Sequence, residues 1–152
     1  MDLNSDLIDL LHALNAEGAE YLIVGGYAFA VHGRVRATKD VDIFVGTDPA
    51  NARKVWNALA VFGAPLEELQ AEDLTATDTF FIMGRPPNQI DIITTIDGVL
   101  FECAWSNRVD SSYGDVPVHY ISREDLIANK EAAGRPQDLL DVDYLRGLDE
   151  PS

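Results

Sequence analysis

The chain has 152 residues, 47% of them hydrophobic, with 26 acidic side chains against 11 Lys and Arg and a formal charge of −15. Length and hydrophobic content predict one domain over residues 1–152 with a sizeable core. The charge excludes broad, non-specific nucleic-acid binding, which needs Lys and Arg to neutralise phosphates, but leaves room for an RNA held at a local basic patch or for a basic protein partner. Cys103 is the only cysteine, so no intrachain disulfide can form, which fits a reducing cytoplasm. The chain opens with no basic-then-apolar leader and has no apolar run of about 18 residues, so no membrane partner is expected.

Residues 5–17 read as an amphipathic helix, with Ser5 as cap, Leu7, Ile8, Leu10, Leu11 and Leu14 as the apolar stripe, and Gly18 as the stop. Tyr21–Val24 is a buried strand that runs into Gly25-Gly26, and a short helix is expected over Tyr27–His32, stopped by Gly33. Asp40–Val45 is a second strand. Asp48-Pro49 caps and starts a helix to about Phe62, with Val55, Trp56, Leu59 and Phe62 inward. Residues 63–77 carry no clear period, with room for a short helix around Leu66–Leu69. Thr79–Met83 and Gln89–Thr95 make a hairpin around Gly84–Asn88. Residues 98–107 read as a short helix, and Val116–Ile121 as a strand near a sheet edge because of Pro117. Ser122 opens a helix through Lys130, Gly134-Arg135-Pro136 breaks it, and a last helix runs to about Leu148, giving a C-terminal helical pair over residues 122–148. No repeat, low-complexity tract or linker interrupts the chain.

Three carboxylates and a glycine pair carry the chemistry. Side chains alternate along a strand, so Asp40 and Asp42 share a face, with Cα atoms about 6.5 Å apart. Asp91, between Ile90 and Ile92, repeats that pattern, and it completes a three-carboxylate site if its strand lies beside that of Asp40. Carboxylates so arranged can converge on a pair of divalent ions roughly 4 Å apart, and hard oxygen ligands favour Mg²⁺ or Mn²⁺. Gly25 and Gly26 permit a sharp strand-to-helix turn and a close backbone approach, and a helix N-terminus behind them suits phosphate. Arg34, Arg36 and Lys39 form a local basic cluster, since residues 1–33 hold no Lys or Arg. Together these features suit metal-dependent phosphoryl-group transfer.

At these residues the chain resembles the nucleotidyltransferase superfamily, the polymerase-beta-like fold. That motif is a hydrophobic residue, Gly, Gly or Ser, a spacer, and Asp-hydrophobic-Asp; it stands here as Val24-Gly25-Gly26, residues 27–39, and Asp40-Val41-Asp42. Arg36–Asp42 is similar to the small bacterial members, minimal nucleotidyltransferases and toxin–antitoxin members among them, as are Leu126–Lys130 and Gly134–Asp141. The resemblance implies an α/β fold with a small mixed, mostly antiparallel sheet and helices mainly on one face. It implies NMP transfer from an NTP to a hydroxyl or amine acceptor, an RNA end, a protein side chain or a small molecule, with pyrophosphate released. It casts Asp40, Asp42 and Asp91 as catalytic metal ligands for two Mg²⁺ or Mn²⁺ ions. Gly25, Gly26, Arg36, Thr38, Lys39 and Lys130 become nucleotide contacts, and a cognate antitoxin becomes a candidate partner.

Other readings stand beside these. A non-catalytic nucleotide- or protein-binding member of a toxin–antitoxin pair keeps the fold without the chemistry. A phosphohydrolase or a glycosyltransferase could also use Asp-x-Asp. Asp138 and Asp141 read more readily as solvated or capping charges than as site residues, and Lys130 alone as a surface lysine. Cys103 reads as core, Trp56 and Trp105 as core or groove, and His32 as packed and hydrogen-bonded; His12 and His119 carry no motif.

Overall fold

The computed structural model describes residues 3–33 and 40–147. Its first helix, α1, spans Leu3–Glu17 and so begins before Ser5, which lies inside the first turn instead of capping it. Leu7, Leu10, Leu11 and Leu14 are fully buried at helical spacing. Each contributes about 2–3 kcal/mol by leaving water. Gly18 closes the helix at φ +68°.

Strand β1, Tyr21–Val24, is buried at every position, so both faces of the sheet are covered there. It leads straight into α2, Gly25–His32, which starts two residues earlier than the sequence predicts. Strand β2 is Asp40–Val45, and α3 is Pro49–Phe62. Asp48 caps α3 through Oδ2, which accepts from the Ala50 and Asn51 amides at 3.1 and 3.3 Å. Buried Asn51 then accepts from the Glu20 amide at 2.7 Å and donates to the carbonyls of Glu20 and Gly46 at 3.0 and 2.9 Å. One side chain thus ties the start of α3 to the entry of β1 and the exit of β2. A 3₁₀ turn over Ala71–Thr75 lies just past the short helix expected around Leu66–Leu69. Trp56 is half-buried against this connection, with Nε1 donating to the Leu69 carbonyl at 2.9 Å.

The hairpin forms as predicted, with β3 over Phe80–Arg85 and β4 over Asn88–Ile93. Helix α4 is Phe101–Ser106, with Phe101 edge-on to Phe44 at 5.1 Å. Phe101 and Ala104 face inward, which turns Cys103 outward; it is exposed, not core. Strands β5, Val109–Tyr113, and β6, Val116–Tyr120, make a second hairpin. Helices α5, Arg123–Ala133, and α6, Pro136–Gly147, follow and pack on each other. Ser122 caps α5 by accepting from the Asp125 amide, and Gly134 ends it at φ +68°.

The sheet order is β3-β4-β2-β1-β6-β5. The pairs β1–β2, β3–β4 and β5–β6 are antiparallel, while β2–β4 and β1–β6 are parallel. This is the mixed, mostly antiparallel α/β sheet that the resemblance implies. Strand β6 lies near the edge, as Pro117 suggests, one place in from it. Its ladder to β1 starts only at Tyr120, so Pro117 owes no amide to β1, and its carbonyl accepts from Asn15 of α1 at 2.8 Å. The edge is β5, which the sequence does not announce because Val-Asp-Ser-Ser-Tyr has no buried alternation. Among the described residues, no helix is long and apolar enough to cross a membrane.

Candidate active site

Strands β2 and β4 are neighbours in parallel register, with Asp40 opposite Gln89 and Asp42 opposite Asp91. Alternation places Val41 and Ile43 on the opposite face from Asp40 and Asp42. The carboxylates of Asp40, Asp42 and Asp91 each offer an oxygen within 4.8 Å of the others. Asp91 is buried and the other two are half-buried. Gln89 Nε2 donates to Asp91 Oδ1 at 2.8 Å and fixes that carboxylate. The donor set is all hard oxygen, which suits Mg²⁺ or Mn²⁺ and not a soft metal.

Three like charges this close raise one another's proton affinity. Burial first, then a hydrogen bond to Asp91 and the charges of Asp40 and Asp91, push the Asp42 carboxyl up to about 7, against a smaller downward pull from Arg135. Without a cation, the cluster therefore keeps a proton on Asp42 that an ordinary surface aspartate would have lost.

Gly25 stands directly behind Asp42. Val24 pairs with Asp42 across β1–β2, and Gly25 follows at φ +67°, where a Cβ would meet Asp42 Oδ2 at 2.6 Å. Val24, at the N-cap of α2, offers no side-chain cap, so the first amides of that helix remain available to an anion. Gly25→Ala should therefore lower stability by about 1–2 kcal/mol through backbone strain and also displace Asp42. We expect Mn²⁺ affinity to fall at least tenfold. Gly18→Ala is the control: φ there is +68° with nothing within 4 Å, so it should show the strain alone. Equal Mn²⁺ titrations for the two variants would remove Gly25 from the site.

Lys130 is buried, not a surface lysine. Its Nζ donates to Asp141 Oδ2 at 2.8 Å, lies 3.7 Å from Asp138 Oδ1, and sits 5.5 Å over the Phe29 ring. Asp138 and Asp141 are likewise buried and not solvated. Gln137 Nε2 donates to Asp141 Oδ1 at 2.9 Å, and Arg135 Nε donates to Asp138 Oδ2 at 2.6 Å. Burial works against the charged form of Asp138, but the Arg135 hydrogen bond and the charges of Arg135 and Lys130 hold its carboxyl below the usual range. This cluster borders one cavity of about 350 Å³ together with Gly25, Gly26, Asp40 and Asp42. The structure thus brings together Asp40, Asp42, Asp91, Gly25, Gly26 and Lys130. Arg36, Thr38 and Lys39, with Arg34, lie outside the described residues.

A family model described as "Nucleotidyltransferase of unknown function (DUF6036)" matches residues 3–146. The chain belongs to this nucleotidyltransferase family. A search of curated proteins gave no significant match. Among solved structures, the chain is similar to an antigenic nucleotidyltransferase-like protein from Paracoccidioides brasiliensis, at 15% identity and a TM-score of 0.47, over 99% of this chain and 78% of that one. In this nucleotidyltransferase-family chain, sequence reasoning missed Arg135, which lines the cavity beside Lys130. The one local signal for it is the i,i+3 spacing to Asp138.

Proposed function

We propose that the chain is a metal-dependent nucleotidyltransferase that moves an NMP from an NTP to a hydroxyl or amine acceptor and releases pyrophosphate. The observation that carries this reading is the convergence of Asp40, Asp42 and Asp91 within 4.8 Å in front of the glycine-headed helix α2. Those three carboxylates would hold Mg²⁺ or Mn²⁺, in one or two ions. Such ions, when bound, offset charge on the attacking and leaving oxygens of an in-line displacement.

The chain's own groups do the rest. The backbone at Gly25 and Gly26 is proposed to bind and orient the phosphates, with Arg36, Thr38 and Lys39 proposed as further nucleotide contacts. Lys130 and Arg135, paired with Asp141 and Asp138, line the same cavity as Asp40 and Asp42. Asp91, oriented by Gln89, takes up the acceptor's proton as the new bond forms. We take the whole chain as one such domain, with α5 and α6 supplying the wall that faces the carboxylates. A single cysteine fits work in a reducing cytoplasm. The acceptor classes are an RNA end, a protein side chain or a small molecule, and a basic cognate protein, as in toxin–antitoxin pairs, suits a charge of −15.

The test is to incubate the protein with Mg²⁺ and each α-labelled NTP, offering total cell RNA and cell protein as acceptors. Label should enter one fraction with pyrophosphate release, and Asp91→Asn should lower it about 10²–10⁴-fold. No label and no pyrophosphate from any NTP would overturn the reading.

A further inference from the structure

The cleft that holds Gly25 and Asp42 continues past the carboxylates. Beyond Ile93 it reaches Thr95, Ile96 and Asp97, with Ala133 of α5 and Phe80 of β3 also lining it, in an open cavity of about 430 Å³. Phe80 pairs with Ile93, and Ile82 pairs with Asp91. Partners in an antiparallel ladder share a face, so Phe80 and Ile82 stand on the carboxylate side of the sheet. They are 58% and 50% exposed, on the edge strand β3.

A single exposed apolar residue is ordinary, and edge strands commonly carry charge to discourage pairing. Here two successive positions on the carboxylate face are apolar, and the aromatic one opens into the same cleft as Asp42. Phe80 lies about 7 Å along the strand from Ile82, the residue opposite Asp91. A ligand whose phosphates sit at the carboxylates can therefore present a flat ring to Phe80. Asp97, exposed in the lining of the same cleft and near Arg135, can only accept hydrogen bonds when ionised. It favours a ring edge that carries an amino group.

We propose that the outer half of this cleft, from Phe80 to Asp97, is the subsite for the base of the incoming nucleotide, stacked on the Phe80 ring with an amino-bearing edge turned to Asp97. This rests on the nucleotidyl-transfer reading above. It adds a preference for adenine, guanine or cytosine over uracil, whose one edge donor, N3–H, is flanked by two carbonyl oxygens that a carboxylate repels.

The test titrates the protein in Mn²⁺ with inorganic tripolyphosphate and with ATP, GTP, CTP and UTP by calorimetry. At least one amino-bearing NTP should bind about tenfold tighter than tripolyphosphate, the margin expected of one stacked base. Phe80→Ala should erase that margin and leave tripolyphosphate binding unchanged, while Phe80→Trp should keep it. Asp97→Asn should narrow the gap between UTP and the others. If wild type binds tripolyphosphate as tightly as every NTP, or Phe80→Ala binds them all as wild type does, the base subsite is wrong while transfer stands. If Phe80→Ala binds NTPs normally but labels RNA poorly, Phe80 serves the acceptor and the proposal fails. If neither tripolyphosphate nor any NTP binds, the transfer reading fails too, and the subsite with it.

Discussion

Asp42→Asn should abolish nucleotidyl transfer and at the same time make the metal-free protein more stable at alkaline pH. The folded carboxyl is raised from 3.8 to about 7, so the fold favours its protonated form. That stabilisation is complete below about pH 4 and is lost as pH rises to 7, the reverse of a salt-bridged aspartate. Each unit is about 1.4 kcal/mol, so the loss is up to about 4 kcal/mol. Wild type without metal should therefore weaken between pH 4 and 7 more than Asp42→Asn, whose amide does not titrate. Mn²⁺ at pH 8 should raise the melting temperature of wild type and leave the variant almost unmoved. Chemical denaturation across pH, with and without Mn²⁺, checks both halves. Parallel pH curves for the two proteins, or an undiminished Mn²⁺ effect in the variant, would separate Asp42 from the cluster.

Lys130→Met should cost about 3–5 kcal/mol, the usual result of leaving a buried charge without its partner. Asp141, 2.8 Å from Nζ, and Asp138, 3.7 Å away, would be left in the interior with one fewer cation. For a chain of this length that is a fall in melting temperature on the order of 10 °C. Lys130→Met with Asp141→Asn should recover a good part of it, because the amide needs no counter-charge. A single variant melting within about 1 kcal/mol of wild type would show that the lysine is not what keeps this acidic pair inside.

The carboxylate trio was legible because period-2 alternation and spacing are local properties, readable without knowing which strands touch. That β4 lies beside β2 is a fact of topology, and the sequence could state it only as a condition. The polar core between α5 and α6 was illegible for a different reason. Lys130, Asp138 and Asp141 carry the composition of a solvated face, and only mutual neutralisation lets them be buried. Arg135 looked like part of a helix break because its partner, Asp138, was read as a solvated or capping charge and not as a buried ion-pair partner. Strand β5 had no apolar alternation to reveal it, so Pro117 could place β6 near an edge but not show that one more strand lies outside it. Cys103 was assigned inward on residue type, against the helical phase set by Phe101 and Ala104.

The parallel pairing of β2 and β4 has no tight turn to set its register. What sets it is the burial of Val41 and Ile43 alongside Ile90 and Ile92. A slip of one residue would send Asp91 to the far side of the sheet and strand those isoleucines in its place. The oily face of the sheet therefore acts as the ruler for the charged one, although the two never touch. An ion that binds only the correctly aligned strands draws on the same equilibrium as folding, so its affinity reports how often the chain holds this alignment.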